Sequence, residues 1–150
     1  MVFNLIHEDS SIIAGKLTDT PPYQFGLNCL NEGNYSDAML HFEKLRMYGL
    51  ANDKPCNLGS VFYDLAKLGN TLVIMSKNSK KITAVDEATR YFEALEVVCK
   101  HANSCPKSSF TSDFRKHYSC ISDMLIGSID LNADDMPENL GALLKEYSLN

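Results

Sequence analysis

The chain has 150 residues, 45% of them hydrophobic and 22% charged, which is typical of a globular protein forming one domain over residues 1–150. Its net charge of −5 argues against a nucleic-acid-binding protein, which needs a basic face, and against attraction to an anionic membrane surface. The longest apolar runs are short, so the sequence predicts no membrane-spanning helix.

The cysteines and the N-terminus bear on where the protein works. Five cysteines is an odd number and their spacings are irregular, which favours reduced thiols over a disulfide framework. The opening residues MVFNLIHEDSS lack a basic stretch and soon become acidic, so no signal peptide is predicted. We therefore expect a cytoplasmic protein, although a protein delivered into a host cell would have the same features.

Helical periodicity dominates the chain, and no segment alternates at period two for long enough to predict a strand. Apolar spacing and capping residues predict helices over residues 11–17, 22–31, 36–48, 58–77, about 83–101, 112 or 113 to 129, and 137–147. The fold expected from this pattern is all-α, an array of six to seven helices.

Two glycines, two aromatic residues and an alanine mark the chain between residues 23 and 45. Gly26 lies in the first helix of this stretch, where the missing side chain lets a second helix come close. Gly33 ends that helix, at a position where a left-handed backbone favours glycine. Tyr35 follows the turn, and Ala38 and Phe42 lie one helical turn apart on the same face of the next helix.

This pattern resembles one tetratricopeptide (TPR) repeat, a helix–turn–helix unit of about 34 residues. The best match covers residues 20–50. The chain departs from the family at Pro22, where the family has tryptophan, and at Asn52, where it has proline. The resemblance implies antiparallel helical hairpins that stack on one another and hold another protein.

A second, weaker unit covers residues 58–101. Gly69 follows Leu68 as a small residue follows a bulky one in the first helix of the repeat, and Ala88 and Phe92 repeat the spacing of Ala38 and Phe42. The turn between its helices is longer than in the family. Phe42 and Phe92 are predicted to be core anchors.

The resemblance also implies a concave groove lined by the first helix of each unit. The residues expected to line this predicted groove are apolar, aromatic or amide-bearing: Tyr23, Leu27, Leu30, Asn31, Tyr63, Ala66, Asn70, Val73 and Ile74. Such a lining suits an amphipathic helix or an extended apolar segment of a partner. The alternative is that these residues contact another helix of the same chain. The carboxylate clamp of one TPR class is not expected, because its positions hold Tyr23, Leu27 and Lys67.

Cysteine and histidine are frequent between residues 99 and 120, at Cys99, His101, Cys105, His117 and Cys120. Structural zinc usually takes ligands from tight CxxC loops, and none occurs here. No local motif marks any cysteine as a catalytic nucleophile either. We predict neither a metal site nor a cofactor.

These features together predict a non-enzymatic adaptor or chaperone that holds a peptide segment of another protein. A protein of a pathogen or phage that blocks a host target by binding is the alternative, and an all-α enzyme using the Cys/His cluster is a third. The sequence leaves the partner and the oligomeric state open.

Overall fold

The computed structural model describes residues 18–52, 58–104, 110–134 and 136, with their side chains except those of residues 48–52, 104 and 110. Within these ranges the chain is all-helical, with five helices and no strand. In chain order the helices are α1 (Pro21–Asn31), α2 (Tyr35–Asn52), α3 (Leu58–Lys77), α4 (Val85–Ser104) and α5 (Phe110–Ser128). The helices predicted over residues 11–17 and 137–147 lie outside the described residues.

Local sequence signals explain the first turn. Proline occupies the first position of α1, where its missing N–H removes no helical hydrogen bond. Gly33 has a φ of 74° and follows the end of α1, as predicted from the sequence. The N–H of Asn34 donates to the carbonyl of Cys29 at 2.8 Å, and the side-chain oxygen of Asn34 accepts from the N–H of Asp37 at 3.3 Å. The turn therefore closes one helix and caps the next.

Several predicted helix boundaries differ from those observed. We expected the second helix of the first unit to end at Gly49, but α2 continues to Asn52. Glycine within a helix costs about 1 kcal/mol relative to alanine, which the packing of a long helix readily offsets. Helix α4 runs three residues beyond the predicted end, and α5 begins at Phe110, so neither Ser112 nor Asp113 is its cap.

The most extensive packing in the molecule is between α2 and α3. Phe62 of α3 lies at the centre of the core, stacked on Phe42 of α2 with ring centroids 5.1 Å apart. The ring of Tyr23 from α1 meets it edge-on at 5.5 Å, and Phe114 from α5 does so at 6.2 Å. Four helices thus meet around one aromatic ring. Phe42 and Phe92 are both buried, as expected of core anchors.

Glycines set how closely these helices approach. A Cβ at Gly26 would lie 2.6 Å from the ring of Phe42, and one at Gly69 would lie 2.8 Å from the ring of Tyr35. A Cβ at Gly59 would overlap the backbone of α2 at Leu45 and Arg46. Gly26 and Gly69 therefore have the close-packing role that their positions in the sequence predicted.

One backbone pairing joins the turn after α3 to the end of α5. The N–H of Ile82 donates to the carbonyl of Ser128 at 2.8 Å, and the N–H of Asp130 donates to the carbonyl of Ile82 at 2.9 Å. The result is an isolated parallel bridge between Ile82 and Ile129, both of which are buried. The Lys81 ammonium donates to the carbonyl of Gly127 at 3.0 Å beside it.

Candidate functional site

Helix α5 covers the face on which the sequence predicted a groove. The hydroxyl of Tyr23 on α1 donates to Oδ2 of Asp113 on α5 at 2.8 Å. One turn further along α5, the ammonium of Lys116 donates to Oδ1 of Asn31 at 3.0 Å. Together with the ring contact between α3 and Phe114, these contacts show that the chain's own fifth helix lies against α1 and α3.

The nine residues predicted to line this groove fall into three groups. Tyr23, Leu30 and Ala66 are buried in the core, so they cannot line an open groove, because α5 and the neighbouring helices already cover them. Asn31 and Ile74 are exposed. The remaining four are partly exposed, namely Leu27, Tyr63, Asn70 and Val73. The expectation that these three side chains line an open groove is therefore corrected. They contact other helices of the same chain, which was the alternative.

The Tyr23–Asp113 hydrogen bond has the character of a structural contact. Burial, followed by the hydrogen bond to Asp113 and the charge of its carboxylate, raises the pKa of the Tyr23 hydroxyl far above its usual range. The hydroxyl thus stays protonated and acts as a donor. The bond fixes the position of α5 on α1 and satisfies a polar group that would otherwise be buried without a partner.

An open groove lies on another side of α3, between α3 and α4. Its volume is about 620 Å³. We call it the α3–α4 groove, and it is lined by Asp64, Lys67, Leu68, Thr71, Glu87, Arg90, Tyr91, Ala94, Val97 and Val98. None of these ten residues belongs to the set predicted from the sequence.

The floor of the α3–α4 groove is apolar. Leu68 of α3 and Val98 of α4 are buried at its base, whereas Val97 keeps 47% of its surface exposed. The hydroxyl of Tyr91, which lines the groove, donates to the sulfur of Met75 at 3.5 Å. An exposed valine beside a buried apolar base is the arrangement that a partner's apolar side chain would cover.

Charged side chains occupy the rim. Lys67 and Arg90 are exposed, while Asp64 and Glu87 are partly buried. Burial is the main cause that raises the pKa of the Asp64 carboxyl, and the positive charges of Arg46, His101 and Lys67 oppose it. The groove therefore combines an apolar base with carboxylates that are partly removed from water.

The Cys/His cluster of the sequence is spread over two helices. Cys99 and His101 lie on α4, His117 and Cys120 lie on α5, and Cys105 falls outside the described residues. Burial raises the pKa of the Cys99 thiol, which is opposite to the activation that a nucleophile needs. In the part of the chain that the structure describes, no three His, Cys, Asp or Glu side chains are placed to hold a metal ion.

The sequence contains a signal for the α3–α4 groove, because α4 has two apolar stripes. An interpretation that considers only the stripe facing the core misses it. The stripe that faces the core includes Ala88, Phe92 and Leu95. A second apolar stripe, Tyr91, Ala94 and Val98, follows at helical spacing beside it. A helix with two apolar stripes has more apolar surface than one core contact buries.

Comparison with protein-family models, with curated proteins and with solved structures gives no match for this chain. Among the described residues, no helix is both long and apolar enough to cross a membrane. The geometry of the helices and of the groove between α3 and α4 is therefore the basis on which function is inferred.

Proposed function

We propose that the chain is a non-enzymatic, TPR-like binding module, an adaptor or chaperone that holds a segment of a partner protein in the α3–α4 groove. The observation that carries this proposal is the open apolar base of that groove, with Val97 exposed at its edge. Grooves between helices commonly accept a partner through a few apolar anchors.

One contact and one charge interaction support a pair of antiparallel helices on either side of the groove. Tyr91, near the start of α4, touches Met75 near the end of α3. The charge of His101, near the end of α4, acts on Asp64 in the first half of α3. With the glycine-mediated approach of α1 to α2, this favours two successive hairpins of the kind that the TPR resemblance implies.

The experiment compares two exposed apolar residues on different faces. Val97 lies in the α3–α4 groove, and Ile74 belongs to the groove predicted from the sequence; they are 47% and 50% exposed. Wild type, Val97→Asp and Ile74→Asp would each be immobilised, and the proteins retained from lysate would be quantified by mass spectrometry. Circular dichroism would confirm that both variants keep their helices.

We expect Val97→Asp to lose the proteins that wild type retains, because truncating or charging a binding anchor typically costs at least about 2 kcal/mol, or roughly 30-fold in affinity. Ile74→Asp should retain them. The reverse result would move the binding site to the face that carries Ile74. If both folded variants capture the same proteins as wild type, the groove is not the binding site.

A further inference from the structure

The two carboxylates of the α3–α4 groove are less exposed to solvent than its two basic side chains. Asp64 and Glu87 are partly buried, and neither has a hydrogen bond or ion pair with another described side chain. Lys67 and Arg90 are exposed and remain in contact with water. The partly buried charges of the groove are therefore negative and its exposed charges positive, although acids and bases are equal in number along its rim.

The guanidinium whose charge acts on Asp64 makes its direct contacts with other groups. Arg46 of α2 pairs with Glu43 at 3.2 Å and lies over the ring of Tyr63, 5.5 Å from its centroid. Asp64 thus has a partly desolvated carboxylate that forms no ion pair with a described side chain, an arrangement that favours a cation brought by another molecule.

The length of the groove limits the size of its occupant. Eleven residues of α4 separate Glu87 from Val98, which corresponds to roughly 16 Å along the helix axis. Three turns of a partner helix have the same length. A helix with an apolar stripe would cover Val97 and the buried base between the two ends.

We propose that the occupant of the α3–α4 groove is an amphipathic helix with apolar residues in its middle and a lysine or arginine at each end, one beside Asp64 and one beside Glu87. This inference rests on the proposed function and specifies its partner. The net charge of −5 adds a long-range attraction for such a segment.

The probes are three synthetic 14-residue peptides that share one apolar helical stripe and carry Lys, Gln or Glu at both ends. Binding to the full chain would be measured by isothermal titration, and its location by chemical-shift changes at Val97 and Val98. We expect the Lys peptide to bind about tenfold more tightly than the Gln peptide, and the Glu peptide to bind most weakly. Higher salt should reduce these differences.

Matched variants test the two carboxylates. The double variant Asp64→Asn, Glu87→Gln keeps side-chain size and should remove the preference for Lys. Asp86→Asn, Glu93→Gln makes the same chemical changes at exposed positions of α4 and should keep it. If the Lys and Gln peptides bind in the groove with equal affinity, or the Glu peptide binds best, this inference is wrong while the proposed function stands. If no peptide shifts Val97 or Val98, the proposed function fails as well.

Discussion

The two sides of α3 are built differently. Towards α2 the backbones approach so closely at Gly59 that no side chain fits between them, and Phe62 stacks on Phe42. Towards α4 the packing is less extensive, and a groove of about 620 Å³ stays open. Gly59 and Phe62 lie along the first side, whereas the residues along the second side include buried valine and leucine together with charged groups.

This difference separates the parts of the molecule that stabilise the fold from those free to bind. Where the backbone of α3 packs directly against that of α2, no surface of α3 is left for another molecule. A side that buries only part of its apolar surface keeps some of the hydrophobic driving force for association. Three predictions test whether the two sides differ as described.

The largest effect is expected for Phe42→Ala. It should lower the free energy of unfolding by about 3–5 kcal/mol, because a fully buried ring is lost and a cavity remains beside the rings of Tyr23 and Phe62. Phe92→Ala, on α4, should fall at the lower end of that range, because α4 is packed less extensively. Urea unfolding measures both, and Phe25→Ala is a control at an exposed ring. A larger loss at Phe92 than at Phe42 would contradict the comparison.

A smaller loss, of about 1–3 kcal/mol, is expected for Gly59→Ala, because α2 and α3 must move apart to admit the methyl group. Gly127→Ala is the matched control on α5, where a Cβ meets nothing within 4 Å and the new residue favours the helix. Thermal unfolding should show a lower midpoint for the first variant and an unchanged or higher one for the second. Equal midpoints would mean that the α2–α3 contact is not closed.

The smallest effect is a pH dependence due to His117, which is buried on α5. Burial, followed by the charge of Lys116, lowers the pKa of His117 below its usual 6.5, while the carboxylate of Asp113 acts in the opposite direction. The unfolded chain therefore binds a proton near pH 6.5 that the folded chain does not bind. Stability due to His117 should fall as the pH drops through 6.5, and the loss is complete below the folded pKa. At still lower pH, His117 causes no further change in the free energy of unfolding.

Urea unfolding of wild type and His117→Gln at about pH 7.5 and about pH 5.5 measures this dependence. The wild type should lose more stability between the two pH values than the variant does, because the amide does not titrate. Identical losses would show that His117 contributes no pH dependence to folding.

Local signals made much of the helical fold predictable. The bounds of α3 agree with its apolar spacing, and Gly33 has the left-handed backbone expected at the end of a helix. Gly26 and Gly69 were placed correctly against their neighbours, because a small residue at helical spacing from bulky ones indicates a close approach. These features depend on residues within one or two turns of each other, which the sequence displays directly.

The binding face was less predictable because it depends on contacts between distant parts of the chain. Tyr23 and Asp113 are 90 residues apart, and nothing local to either indicates their hydrogen bond. That contact and its neighbours put α5 over the predicted groove. The bridge between Ile82 and Ile129 was also missed, since a single pair of residues has no periodicity to detect.

That bridge also fixes one end of the α3–α4 groove. It attaches Ile82, three residues before α4 begins, to the end of α5 through two backbone hydrogen bonds. Because Ile82 lies in the segment that joins α3 to α4, the groove is held against α5 at the end near Glu87. Among the described residues no comparable backbone bond holds the other end, near Asp64. We therefore expect α3 and α4 to open more readily at the Asp64 end.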